Sequence, residues 1–309
     1  MKQSVNITKK ALMRDWQLYL FLLLPLTYIV IFEYIPMGGL IIAFQDYSAR
    51  KGIWNSEWIG FDNFIRFFKS YEFQRVLKNT IILSAYNIMA SFPIPILFAL
   101  MLNSLNSERF KKITQTIVNM PHFISVTVMV GILMNLLHSR VGLYGMIGEK
   151  LTGAYPSDLF SSPTAFRHLY VWSGIWQNFG WSSIIYMAAL SNVDPQFHEA
   201  AQVDGASRLQ RIIHIDFPCI VPTVIIQLIL SVGRVMSIGF EKVFLMQNSL
   251  NMSASSIIST YVYSIGLAAG GRPNFSYATA IGMFNSVINL ILITSVNKIS
   301  RKVSETSLW

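Results

Sequence analysis

Asn192-Val-Asp-Pro-Gln-Phe-His-Glu-Ala-Ala-Gln-Val-Asp-Gly-Ala-Ser-Arg-Leu-Gln-Arg-Ile-Ile-His-Ile-Asp-Phe-Pro218 is a polar interval between two long apolar stretches, His168–Leu190 and Phe217–Phe240. Asp194 carries the acceptor of a helix N-cap, and Pro195 has the fixed φ of a first helical position. The helix they open runs through Glu199, Ala200 and Ala201, and Asp204-Gly205 ends it. Ser207 caps a second helix reaching about Ile215, and Pro218 marks entry into the next apolar stretch. A helix centred on alanines presents little bulk, so another protein's surface can approach its backbone. Phe197 can anchor in a pocket and Glu199 can meet a basic partner. Short tethers to two apolar stretches make the pair of helices a stiff lever, although an ordinary helical hairpin accounts for the same residues.

Working outward, six stretches have the roughly 20 mainly apolar residues that a membrane crossing needs: Leu18–Phe44, Thr80–Leu102, Ile113–Leu137, His168–Leu190, Phe217–Phe240 and Phe275–Val296. The first is too long for one straight crossing and contains Pro25, Pro36, Gly38 and Gly39, so it is tilted, broken or partly outside the bilayer. Pro93 and Pro95 should bend the second. Only 13% of the 309 residues are charged and 53% are hydrophobic, with a mean hydropathy of +0.46. A soluble domain has roughly a quarter charged residues, so this chain lacks the polar surface to face water all round. The expected fold is an all-α integral membrane domain of six transmembrane helices.

The net charge of +9 is not gathered on a basic helix or patch, which argues against nucleic acid as a partner. Lys and Arg lie between apolar stretches and at both ends, the distribution that orients spans by the positive-inside rule. Basic residues concentrate in the tail from Met1, in the short Glu108–Lys112 loop (Arg109, Lys111, Lys112) and at Lys298, Arg301 and Lys302. Cytoplasmic termini follow: a tail 1–17, a membrane domain 18–297 with the polar loop 192–218 on the same side, and a tail 298–309. The basic N-terminus precedes an apolar stretch too long for a signal peptide, without a small-residue cleavage site, and is expected to be retained. Cys219 is the single cysteine, so no internal disulfide forms. Phe61–Asn79 repeats Phe64, Phe67, Phe68, Phe73 and Leu77 among basic residues, the pattern of an interfacial amphipathic helix, and Ser256–Leu267 suits another short outer helix.

The loop then acquires a specific resemblance. Glu199-Ala200-Ala201, three residues, Gly205, nine residues and Ile215-Asp216-Phe217-Pro218 resemble the EAA loop of binding-protein-dependent ABC importer permeases of the carbohydrate type (MalF/MalG-like), whose pattern is E-A-A, three residues, G, nine residues, I-x-L-P. Phe217 for leucine is the one departure, and Asp204-Gly205-Ala206 resembles the sugar-transporter version. Pro36–Tyr47, Gly60–Phe64, Gly239–Asn248, Ala280–Ser286, Asn297–Ser300 and Ser307–Trp309 are similar to a narrower group, the LplB/YteP-like oligosaccharide permeases. The resemblance implies a type I importer fold and a heterodimer with a second permease. It also implies an ATPase dimer docked on the loop through Phe197, Glu199, Ala200, Ala201, Asp204, Gly205 and Ala206, and an external solute-binding protein. The setting implied is the bacterial cytoplasmic membrane. No G-x-x-x-x-G-K-[ST] occurs in this chain, so ATP and Mg would be bound by the partner ATPase and no cofactor by this chain.

Polar side chains within spans are costly and invite a functional reading. Arg234 in the fifth span suits a cationic contact to an acidic, uronate-containing oligosaccharide; snorkelling outward, or pairing with Glu241, would account for it equally. Trp176, Gln177, Asn178, Trp181 and Tyr186, and Asn285 and Asn289, offer amides for hydroxyls and aromatic faces for sugar rings. Interhelical hydrogen bonds and an interfacial aromatic belt are the plainer explanation. Enzymatic chemistry has thin support: His122, His138, His168, His198 and His214 show no metal-binding spacing, and His198 beside Glu199 reads as part of the docking surface. The alternative is an ion- or proton-coupled secondary transporter, for which Glu33 is the one candidate carboxylate and no inverted repeat is evident.

Overall fold

The computed structural model describes residues 14, 16–268 and 273–304, and their regular structure is almost entirely helical. Most of the tail 1–17 and the end Ser307–Trp309 lie outside the described residues. Among the described residues four helical stretches are long and apolar enough to cross a membrane: Trp16–Phe44, Tyr71–Asn103, Arg208–Gly233 and Phe275–Arg301. A fifth arises if Glu108–Phe123 and Val126–Leu136, bent by 94°, are counted as one broken span.

The first stretch begins as α1 (Trp16–Ile29), widens into a π-helical turn at Val30–Tyr34 and tightens to a 3-10 segment at Gly38–Phe44. The wide turn precedes Pro36, which has no N–H to donate and crowds the carbonyl four residues back. Nothing from Trp16 to Met37 is buried, and Leu18, Phe21 and Leu24 are among the exposed side chains. This arm meets the rest of the fold at its 3-10 end, which packs on the last helix.

The expected amphipathic helix over 61–79 is two helices, α2 (Asp62–Lys69) and α3 (Tyr71–Ser91). Ser70 separates them because its hydroxyl accepts the Phe73 N–H at 3.2 Å and caps α3. Phe67 is buried there against Phe73, Tyr277 and Phe284. Pro93 and Pro95 open α4 (Pro93–Asn103) after an interruption at Phe92. The third expected span is α5 (Glu108–Asn119), a 3-10 turn at Met120–Phe123 and α6 (Val126–Leu136). Pro121 and the Ser125 cap, bonded to the Val128 N–H at 3.3 Å, break a stretch that hydropathy alone reads as continuous.

After α7 (Leu143–Thr152) comes α8 (Pro163–Leu190), 28 residues long. It coincides with the fourth expected span, but Gln177, Asn178 and Ser173, Ser182 and Ser183 dilute its apolarity. It is the packing centre, lying against α3, α4 and α5. Leu83, Val130, Phe166, Tyr170, Val171, Ile175 and Val243 are buried together around it. Next come α9 (Pro195–Val203), α10 (Arg208–Arg211) and α11 (Phe217–Gly233), then α12 (Phe240–Met246), α13 (Ile258–Tyr263) and α14 (Phe275–Ser304). The fifth expected span stops short: α11 ends at Gly233, Arg234 leaves helical geometry, and a 3-10 turn over Val235–Ser237 follows. α14 runs past its expected end at Val296.

Candidate functional site

The first helix of the polar loop and the turn that follows it fold as the sequence implies. The Asp194 carboxylate accepts the Gln196 N–H at 2.9 Å and caps α9. At its far end the Ala206 N–H reaches the Ala201 carbonyl at 2.8 Å and the Gly205 N–H reaches that of Gln202 at 3.1 Å. This is the closure of a helix by a left-handed residue, and Gly205 has φ +78°. Ser207 and Gln210 then form a reciprocal capping box at 3.3 and 2.7 Å. The second helix does not stop near Ile215. It passes through a π turn at Ile212–Asp216, where the Phe217 N–H bonds the Ile212 carbonyl, straight into α11. The wider turn makes room for Pro218, whose ring a regular helix would press against the His214 carbonyl.

Phe197 and Val203 are 59% and 88% exposed, and Leu209 is 65% exposed, so the loop shows an apolar surface larger than a solvated hairpin needs. Glu199, Ala200, Asp204 and Gly205 are exposed, and Ala201 and Ala206 are partly covered. His198 departs from expectation. It turns inward, with Nε2 3.2 Å from Oδ1 of Asp216, which is 2% exposed and also accepts from Asn103 Nδ2 at 3.3 Å. One buried carboxylate thus joins α9, the end of α4 and the base of α11, beside a cavity of about 470 Å³ also lined by Glu199, Arg208 and Arg211.

The larger cavity, about 720 Å³, lies among α3, α4, α8, α11 and α12. Of the candidates named from sequence, Arg234, Gln177, Asn178, Trp181 and Tyr186 line it. Their neighbours hold several of them. Gln177 donates to the Ile124 carbonyl at 2.7 Å, Asn178 donates to the Gly174 carbonyl at 3.0 Å and meets His122 at 2.9 Å, and Trp181 stacks on His122 at 4.5 Å. Trp176, Asn285, Asn289 and Glu241 are not on its wall. Asn289 instead bonds the Met236 N–H and the Ser237 hydroxyl at 3.1 and 2.7 Å, and Asn285 borders a separate apolar cavity. Glu241 accepts from the Thr127 hydroxyl at 3.3 Å, and no Arg234–Glu241 ion pair forms among the described residues.

The sequence reading missed Lys242, which lines the same cavity while only 8% exposed. Its ammonium donates to the Tyr170 carbonyl at 2.7 Å and lies 4.8 Å from the centre of that ring. Burial pushes this ammonium down to about 7. Also unremarked were Asn87 and Ser91 on α3, and Gln227 and Ser231 on α11. They had a signal: Gln227, Ser231 and Arg234 recur at helical spacing in an otherwise apolar stretch, a polar stripe on one face.

Residues 79–305 match the family described as binding-protein-dependent transport system inner membrane component. Protein LplB of Bacillus subtilis (strain 168) is 42% identical over 299 residues, covering 97% of this chain and 93% of that protein. The polygalacturonan/rhamnogalacturonan transport system permease protein YteP of the same organism is 41% identical over 303 residues, covering 96% and 92%. Among solved structures, a chain of a bacterial ABC transporter involved in the import of the acidic polysaccharide alginate superposes with a TM-score of 0.86 at 37% identity, over 96% of this chain and 98% of its own. A chain of the alginate transporter in complex with alginate pentasaccharide-bound periplasmic protein gives 0.87 at 37% identity, over 97% and 99%. The LplB/YteP likeness of the short motifs therefore extends over nearly the whole chain. With this agreement in sequence and backbone, the chain belongs to the family of inner membrane components of binding-protein-dependent transport systems, as a permease subunit of the sugar-importing ABC type.

Proposed function

We propose that the chain is one of two permeases in an ATP-driven importer of acidic, uronate-containing oligosaccharides. The cavity carries this reading. It combines two cations, Arg234 and Lys242, with the amides of Asn87, Gln177, Asn178 and Gln227 and the rings of Tyr170, Trp181 and Tyr186. Amides match sugar hydroxyls, aromatic faces match sugar rings, and cations match carboxylates. The alginate and polygalacturonan names of its relatives support the same substrate class.

In this proposal α8 and the broken pair α5–α6 join the four apolar stretches to give six crossings, with both termini cytoplasmic in a bacterial cytoplasmic membrane. The membrane domain spans 18–297 and its coupling loop is 192–218. A second permease completes the path, and an external solute-binding protein delivers the sugar. An ATPase dimer, which holds ATP and Mg, docks on Phe197, Glu199, Ala200, Ala201, Asp204, Gly205 and Ala206. The exposed Phe197 and Val203 of α9 and the His198–Asp216 contact that ties α9 to the base of α11 support that role: a push on α9 is passed to the fifth span. Nucleotide binding then shifts an equilibrium between inward- and outward-open states through contacts that differ between them. The ion-coupled alternative has no comparable support, since Glu33 sits exposed on the peripheral first stretch.

Proteoliposomes holding the chain with its partner permease and ATPase, supplied with the loaded binding protein, test the proposal. Uptake of an oligouronate should require ATP hydrolysis. Uptake that continues without the ATPase and collapses with an ionophore would overturn it.

A further inference from the structure

A buried ammonium normally faces a carboxylate, because the cost of desolvating the charge is otherwise unmet. Lys242 has none: among the described residues no Asp or Glu pairs with it. Its sequence neighbour Glu241 is engaged by Thr127, and its hydrogen-bond partner is the neutral Tyr170 carbonyl at 2.7 Å. Arg234 borders the same cavity and likewise has no ion-pair partner among the described residues.

The surroundings are built to hold Lys242 in place. A Cβ on Gly174 would lie 3.1 Å from the Lys242 Nζ, and one on Gly239 would lie 2.6 Å from the Tyr170 hydroxyl. Two glycines on different elements therefore leave the space that the lysine and tyrosine fill. The helix carrying the lysine is itself anchored. Asn251 donates to the Phe160 and Met246 carbonyls at 2.8 and 2.9 Å, and Asn248 donates to that of Phe160 at 2.9 Å. A fixed amine without a counter-ion, on the wall of an open cavity that also carries Arg234 and several amides, is a place where an arriving anion is met by a full ammonium charge.

We infer that Lys242 is the specificity-determining residue of the path: its ammonium takes a carboxylate of the passing oligosaccharide, Arg234 takes a second, and Gly174 and Gly239 provide the clearance. The inference rests on the importer reading and adds the residue that separates acidic from neutral sugars.

The test is isothermal titration of the assembled transporter in nanodiscs, free of binding protein, with an alginate pentasaccharide and with the same chain after reduction of its carboxyl groups. Lys242→Gln keeps a donor for the Tyr170 carbonyl and removes the charge. One charge-assisted hydrogen bond corresponds to roughly tenfold or more in affinity, so the preference for the acidic over the reduced sugar should fall by about that factor. Lys242→Arg should retain part of the preference. Gly174→Ala, which crowds the ammonium, is a second variant should Lys242→Gln fail to assemble, and it too should erode the preference. Equal weakening of both sugars, or an unchanged ratio in both variants, overturns the inference while leaving the importer reading intact. If the wild-type complex drives ATP-dependent uptake of sugars but binds acidic and reduced chains alike, the acidic class falls together with this role of Lys242.

Discussion

The buried carboxylate of Asp216 offers a way to loosen the lever without touching its docking face. His198→Ala removes the Nε2 contact at 3.2 Å and leaves Asp216 with the weaker Asn103 amide at 3.3 Å. A hydrogen bond between charged or partly charged groups contributes about 1.5–3 kcal/mol. The His198 side chain is 24% exposed, so water replaces part of the loss and about 1–2 kcal/mol remains. Placed on the link between α9 and α11, that corresponds to roughly a 5- to 30-fold rise in the population in which the two move independently. The assay is the ratio of sugar imported to ATP hydrolysed in proteoliposomes. His198→Ala should lower the ratio with assembly retained, Asp216→Asn should act similarly, and the double variant should add little because both remove the same contact. Strictly additive losses, or an unchanged ratio in both single variants, would refute the idea that this contact stiffens the lever.

Other expectations follow from the same geometry. Gly205→Asp places a side chain where φ is +78°, at a cost of roughly 1 kcal/mol, and puts a charge against the docking partner; co-purification with the ATPase should fail or sugar-stimulated hydrolysis be lost. Arg234→Gln should weaken the transporter's affinity for an oligouronate several-fold in titration, and an unchanged affinity removes Arg234 from the path. Because burial holds the Lys242 ammonium near 7 and a bound carboxylate would raise it, binding of an acidic sugar takes up a proton. Titrations should therefore give an affinity that is steady below about pH 7 and declines above it, with no such decline for the carboxyl-reduced sugar.

Much of this architecture is legible in the chain itself, where physics is local. The Asp194 cap, Pro195 start, Gly205 stop and Ser207 cap each depend on residues within four positions, and all form as read, while the reciprocal bond from Gln210 was not read. Four of the six expected apolar stretches recur as helices long and apolar enough to cross a membrane, because lipid demands a minimum length that composition makes visible. What local reading misses is set by distant contacts. The 94° bend before Val126 and the end of α11 at Arg234 fall inside stretches that hydropathy reads as continuous. His198 was assigned to the docking surface because its contact with Asp216, beyond the turn at Gly205, is invisible to periodicity. Lys242 was overlooked for the same reason: its burial depends on Tyr170 and Gly174, which lie on α8. Asn289 follows the plainer of its two readings, an amide in a span that bonds a neighbouring turn.

The most direct measurement is site-specific crosslinking of Phe197→Cys, in a Cys219→Ser background, to single cysteines on the ATPase surface in the assembled transporter. Efficient crosslinks that block sugar-stimulated ATP hydrolysis, and are restored to activity by reduction, are the outcome expected of a loop that carries the motor's motion. Labelling of the same cysteine only from outside the cell, or full transport activity with the crosslink in place, would contradict it.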